Sequence, residues 1–184
     1  LRAPSGDRTR PTSDRVREAI FDVLGSVLAP EGWDRCTVVD LFAGSGAIGI
    51  EALSRGAASA VFVDRDRAAV AAVRGNLASL GIPAVRATVV QAEAAGWLAG
   101  IGSGRSFDVA VCDPPYAFDG WDGVWDHLHA RIAVVESSRD VAIPAPWAVI
   151  RRKRYGSTLV TVATSSSGTE TGGSTAGNTQ RGVD

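Results

Sequence analysis

The sequence predicts an α/β fold of the doubly wound, Rossmann-like kind: a seven-stranded, mostly parallel sheet ending in an antiparallel hairpin. Three observations predict it. Short apolar runs at Thr37–Phe42, Ala60–Val63, Val85–Val90, Phe107–Cys112 and Ile132–Glu136 alternate with stretches of helical pattern. Continuous β-branched runs separated by helices belong to parallel strands covered on both faces. The last two runs, Trp147–Arg152 and Thr158–Val162, connect through Tyr155-Gly156-Ser157, with no room for a crossover helix, so they pair antiparallel. Finally, the first run leads straight into a glycine turn that opens a helix.

Taken in order, the elements begin after Pro11. There Thr12-Ser13-Asp14 offers helix caps, and Val16, Ile20, Phe21, Val23, Leu24 and Val27 recur at helical spacing until Pro30 and Gly32 close the segment. Strand Thr37–Phe42 follows, then helices near Ala47–Ser54, Arg67–Leu80, Glu93–Ile101 and Trp121–Ala130, each between two apolar runs. Right-handed crossovers wind these units into a doubly wound sheet. From Ser165 the chain is Ser, Thr, Gly and Asn with almost nothing apolar, a composition that predicts disorder. The expected divisions are a basic arm at 1–11, one domain at 12–163 and a disordered tail at 164–184.

At 184 residues and 45% hydrophobic content the chain builds one core. No apolar run reaches the roughly 18–20 residues of a membrane helix, and the arginine-rich opening, Leu1 to Arg17, is no secretory signal. A cytoplasmic address is expected. Cys36 and Cys112 sit beside apolar runs at no metal-like spacing and read as small buried side chains. His127 and His129, two apart on the predicted helix, point to different faces, so no metal is expected. The chain opens at Leu1, as a processed, truncated or excerpted product does, and Lys153 is the only lysine. That arginine bias, with abundant Ala, Gly and Val, reflects a GC-rich genome. The net charge of −1 advertises no nucleic-acid partner, but the distribution does. Arg2, Arg8, Arg10, Arg15 and Arg17 crowd the start, and Arg151, Arg152, Lys153 and Arg154 form a late block.

Two motifs carry chemistry. The first is Val38-Val39-Asp40-Leu41-Phe42-Ala43-Gly44-Ser45-Gly46-Ala47-Ile48-Gly49. Its glycines let a ligand approach the backbone, and its helix presents free N–H groups. The spacing also satisfies the dinucleotide G-x-G-x-x-G pattern. Asp40 tilts the balance, since a carboxylate suits the cationic methionine end of S-adenosylmethionine and repels a pyrophosphate. Asp64, closing the next strand, stands where a ribose diol is gripped in either ligand. Gln91-Ala92-Glu93 stands where an adenine amino group is met. The second motif is Asp113-Pro114-Pro115-Tyr116, directly after strand Phe107–Cys112. The prolines hold the Asp113 side chain rigidly at the strand end, and Tyr116 adds an aromatic plate. Amino methylation of a base needs an acceptor for the exocyclic N–H bonds, an aromatic surface, and an unstacked base. A nicotinamide oxidoreductase has no use for this second motif.

With these residues quoted, the chain resembles the bacterial 16S ribosomal RNA guanine-N2 methyltransferases of the RsmD type, within the class I S-adenosylmethionine-dependent superfamily. The likeness runs from about Arg10 to Val162. Its most particular stretches are Arg10–Glu18, Asp40–Gly46, Leu53–Ala57, Phe62–Asp66, Asp113–Tyr116 and Lys153–Gly156. The resemblance implies methylation of a guanine N2 in small-subunit RNA; the size of the chain and the lack of a second apolar surface pattern lead us to expect a monomer, and the lack of a Cys/His cluster no metal. The resemblance assigns Asp113, Pro114, Pro115 and Tyr116 to the reaction. It assigns the cofactor to Asp40, Phe42, Gly44, Ser45, Gly46, Asp64, Arg65, Ala92, Glu93 and Asp113, and RNA to Arg10, Thr12, Arg15, Arg17, Tyr116, Lys153 and Arg154. The chain departs from the family pattern in three ways. Most of the usual glycine- and arginine-rich opening is missing, the connection from Tyr116 to Ile132 is short, and Glu93 replaces an aspartate. Two rivals keep the scaffold. A non-catalytic RNA- or subunit-binding relative predicts no methyl transfer. A DNA adenine-N6 methyltransferase more often carries Asn at the place of Asp113 and has a separate recognition region.

Overall fold

In the computed structural model, residues 14–166 are described. Helices α1 (Asp14–Leu28), α2 (Ala47–Ser54), α3 (Arg67–Ser79), α4 (Ala94–Ala99) and α5 (Trp121–Trp125) accompany strands β1 (Thr37–Leu41), β2 (Ser59–Asp64), β3 (Ala87–Gln91), β4 (Phe107–Cys112), β5 (Ala130–Ser137), β6 (Trp147–Tyr155) and β7 (Thr158–Ser165). The seven strands lie in the order β3-β2-β1-β4-β5-β7-β6. The first five are parallel to their neighbours, and β7 runs antiparallel to both β5 and β6. This is the predicted fold class.

Alternation along the strands splits the core into two layers. Val38 and Phe62 join Ile20, Phe21 and Leu24 of α1, Leu53 of α2 and Val73 of α3 on one face. Val39, Leu41 and Val63 join Trp97 and Leu98 of α4 and Trp121, Val124 and Trp125 of α5 on the other. Both sulfhydryls are buried here, and burial pushes each thiol up to about 12, so Cys36 and Cys112 are inert packing.

Several boundaries shift for physical reasons. β1 stops at Leu41 because Phe42 turns to φ +67°, outside the extended region. Val85, predicted as strand, is exposed in a 3-10 turn over Ala84–Arg86, and β3 starts only at Ala87. Glu93 caps α4 instead of joining it, and α4 ends before Gly100. The helix predicted over Trp121–Ala130 is five residues long, and β5 already begins at Ala130. His127 and His129 therefore stand in the connecting turn, off any helix. β7 continues to Ser165, past the expected domain end at 163, while residues 1–13 and 167–184 lie outside the described part.

β6 is an edge strand exposed along almost its whole length after buried Trp147, with a bulge between Val149 and Arg151. No helix among the described residues is long and apolar enough to cross a membrane.

Candidate active site

The order of strands reverses between β1 and β4, and ligands of open α/β sheets bind beyond the carboxyl ends at such a switch point. Both sequence motifs end there. The glycine loop is held from several sides. Phe42, Gly44 and Gly46 all take positive φ, at +67°, +56° and +77°. Asp64, at the end of β2, accepts the Gly44 N–H on Oδ2 at 2.8 Å and the Asp66 N–H on Oδ1 at 2.8 Å. Ala43 N–H donates to the Val63 carbonyl at 3.0 Å, and the Asn76 amide donates to the Ser45 carbonyl at 2.9 Å. Gly49 is required for another reason: a Cβ there would enter the ring of Phe62, so α2 can pack this close to β2 only with glycine.

Above the loop lies a pocket of about 220 Å³. Phe42 lines it from just after β1, Val63, Asp64 and Arg65 from the end of β2 and the residue beyond, Ala92, Glu93 and Ala94 from the turn between β3 and α4 and its first residue, and Pro115, Ala117, Phe118 and Asp119 from the segment after β4. Of the residues assigned to a cofactor by resemblance, Phe42, Asp64, Arg65, Ala92 and Glu93 thus share one cavity. Gly44, Ser45 and Gly46 form the loop without lining it. Glu93 spends one carboxylate oxygen on the Gly96 N–H at 2.7 Å, the cap of α4. Phe118 escaped the sequence reading. Its ring meets Phe42 edge-on at 5.0 Å and Trp121 at 5.2 Å, closing the pocket on the β4 side.

Asp40 does not reach the pocket. It is buried beneath the loop and accepts the Gly49 N–H at 3.0 Å. Burial pushes its carboxyl up to about 8; the Gly49 hydrogen bond opposes this, while the charges of Asp113 and Asp64 add to it. Unfolded, the group titrates near its ordinary 3.8, so at intermediate pH the folded chain keeps a proton that the unfolded chain has lost. Its contribution to stability is therefore full below that value and drains away as pH rises through about 8. Asp40→Asn carries no such proton. Relative to the parent, its urea midpoint should climb steadily from about pH 5 to about pH 8. Parallel curves would mean that Asp40 is ionised in the fold.

Asp113 is half-buried at the end of β4, Pro114 is buried behind it, and Tyr116 is exposed. Pro115 faces two ways. It lines the main pocket and also a shallow cleft with Pro114, Tyr116, Phe118 and Trp121 on one wall and Ser137, Ser138, Arg139 and Val141 on the other. Arg139 donates from Nη2 to the Phe118 carbonyl at 2.8 Å, tying the segments after β4 and β5 together. It too was missed. Nothing in its local sequence marks it; only the neighbouring of β4 and β5 does.

The residues assigned to RNA are dispersed. Arg10 and Thr12 lie outside the described residues. Arg15 is exposed on the first turn of α1, and Arg17 pairs with Asp14 at 2.7 Å. Lys153 lies over the ring of Tyr155 at 5.1 Å. Arg154 reaches the Ser138 carbonyl at 3.3 Å, which brings the basic end of β6 to the rim of the cleft. Arg152 is paired with Asp140 at 2.8 Å. Among the described residues no group of three metal-binding side chains gathers.

The chain is similar to Ribosomal RNA small subunit methyltransferase D of Escherichia coli (strain K12), with 41% identity over 116 residues, 63% of this chain and 54% of that protein. It is 49% identical to YlbH of Bacillus subtilis (strain 168) over 80 residues, 44% of this chain and 41% of the relative. The matches thus span about half the length of these relatives. Among solved structures, yhhF from Escherichia coli superimposes with a TM-score of 0.75 at 32% identity, covering 90% of each chain. A family profile described as Conserved hypothetical protein 95 matches residues 1–164. The chain therefore belongs to that family, the RsmD family to which its motifs pointed.

Proposed function

We propose that this chain transfers a methyl group from S-adenosylmethionine to the exocyclic N2 of a guanine in small-subunit (16S) ribosomal RNA. One observation carries the reading: the Asp64 pocket and the Asp113-Pro114-Pro115-Tyr116 segment meet across the switch point, sharing Pro115 as a common wall. The curated relative named for small-subunit RNA methylation supports the choice of substrate.

The residues present fit the cofactor. Its cationic end needs negative potential, and the carboxyl of Asp64, which lines the pocket, is close enough to raise that of Asp40. Its ribose needs acceptors. A carboxylate has about four lone-pair sites, and Asp64 uses two on backbone N–H groups. Its adenine needs apolar walls, which Phe42, Val63, Ala92, Ala94 and Phe118 provide. When bound, the cofactor supplies an electrophilic methyl group. Asp113 accepts the hydrogens of the guanine N2 and fixes the direction of its lone pair, and Tyr116 and Pro115 hold the ring. The proton of the methylated nitrogen passes to water, so Asp113 orients and need not act as a base. Catalysis is then mostly positioning, which in well-oriented reactions is worth about 7–11 kcal/mol. Lys153 and Arg154, with Arg15 and Arg17, meet phosphates, and the chain acts as a monomer without a metal.

Calorimetry with S-adenosylmethionine, followed by transfer of a labelled methyl group to small subunits lacking the modification, tests the proposal. The expected product is N2-methylguanine, formed with an apparent affinity for the subunit that falls steeply with salt. Label on adenine, or no transfer by a protein that binds the cofactor, overturns it. A flat salt response removes the arginine clusters from the RNA surface.

A further inference from the structure

The shallow cleft beside Tyr116 has a wall that the reaction does not use. β4 and β5 are parallel neighbours, so the segments following them face each other at the carboxyl edge. One wall is Pro114, Pro115 and Tyr116; the other is Ser137, Ser138 and Arg139. Arg139 is exposed, and among the described residues its guanidinium makes one hydrogen bond, from Nη2 to the Phe118 carbonyl at 2.8 Å. Its own carbonyl accepts the Ser137 hydroxyl at 2.6 Å, so the backbone is fixed where the side chain leaves it. The result is an anchored guanidinium with donors to spare, opposite the plate on which a base would lie.

Guanine makes a particular demand of that place. In guanine the N7 edge lies across the ring from N2, and across the cleft from the Asp113-Pro114-Pro115-Tyr116 segment stands the segment after β5. The two acceptors of that edge, O6 and N7, match the arginine fork, whereas adenine offers a donor beside its N7. Resting on the proposed guanine methylation, we propose that Arg139 is the specificity-determining residue of this chain, reading O6 and N7 of the target guanine while its bond to Phe118 holds the fork in place. Asp113 selects an amino group, and Arg139 selects the base that bears it. The same bond couples the two clefts, because Phe118 also closes the cofactor pocket.

The test uses small subunits reconstituted with 16S RNA transcribed either with guanosine or with 7-deazaguanosine, which keeps N2 and O6 but lacks the N7 acceptor. The parent is expected to prefer the ordinary subunit by about threefold to tenfold in kcat/KM, part of the worth of a good bidentate pair. Arg139→Ala should still transfer methyl groups but lose that preference. Arg139→Lys, which keeps a donor for the Phe118 carbonyl without the fork, should lose it as well. A purely structural arginine would slow both substrates alike and leave their ratio unchanged. A variant that retains the parent's preference, or a parent without one, overturns the assignment while guanine methylation stands. A parent that methylates neither subunit takes both proposals down.

Discussion

Asp113→Ala is expected to lower kcat for methyl transfer by on the order of 10²–10³-fold, the range for losing one preorganised hydrogen-bonding group at the reacting centre. Cofactor affinity should stay within about threefold, because the pocket that grips the nucleoside is built by Phe42, Val63, Asp64 and Ala92, without Asp113. The split between the two readouts is the informative part. Pro114 and Pro115 fix the backbone φ of the segment whatever side chain stands at 113, and Pro114 is buried. Turnover and calorimetric Kd on the same preparation decide the matter. Full turnover would transfer the amino group to another acceptor and end the case for this motif.

Asp64→Ala is expected to do the opposite, weakening S-adenosylmethionine by about 10²-fold with the chemistry intact once the pocket is saturated. Two losses combine. The ribose loses a charged acceptor, and the Gly44 N–H loses the partner that holds it at 2.8 Å. Hydrogen bonds to charged groups are worth about 1.5–3 kcal/mol each, so a fall in stability should accompany the loss of affinity. Asp64→Asn separates the two, since an amide oxygen can still accept from one backbone N–H. A variant whose loop is sound but whose cofactor Kd has not moved would reduce Asp64 to a tether.

The parts of this architecture that depend on local pattern are the parts a sequence displays. β4 and α2 were legible to the residue, at Phe107–Cys112 and Ala47–Ser54. One is an apolar run interrupted only by Asp108; the other begins directly after Gly46. Val85 shows the limit of such reasoning. It continues a β-branched run, yet the turn after Pro83 leaves it exposed. α5 was overread because Trp121, Val124 and Trp125 supply one good turn, after which the chain must extend to reach β5. In the site, Asp64, Ala92 and the Asp113 segment were visible because each closes a strand or follows one directly. Asp40 was assigned to a ligand on the same logic, but strand alternation turns it under α2, onto Gly49. Phe118 and Arg139 were invisible for a different reason. Each matters through a partner from another part of the chain, and no spacing in one dimension announces a bond between the connection after β4 and the connection after β5.

The open margin of the sheet carries a consequence beyond catalysis. Among the described residues β6 has a strand neighbour on one side only and exposes Val149 and Ile150, and such a border invites a second molecule to add a strand. Here the bulge breaks the register beside Ile150, and Arg151, Lys153 and Arg154 line the remainder with like charge, Arg152 being paired with Asp140. Two copies meeting along this border would oppose cation to cation. Like charge along this border disfavours strand-to-strand pairing of two copies. Neutralising it with apolar residues to probe RNA binding would strip that protection and produce precipitates that mimic a binding defect. Reversal to glutamate keeps the border charged, and is the cleaner way to ask what the arginines touch.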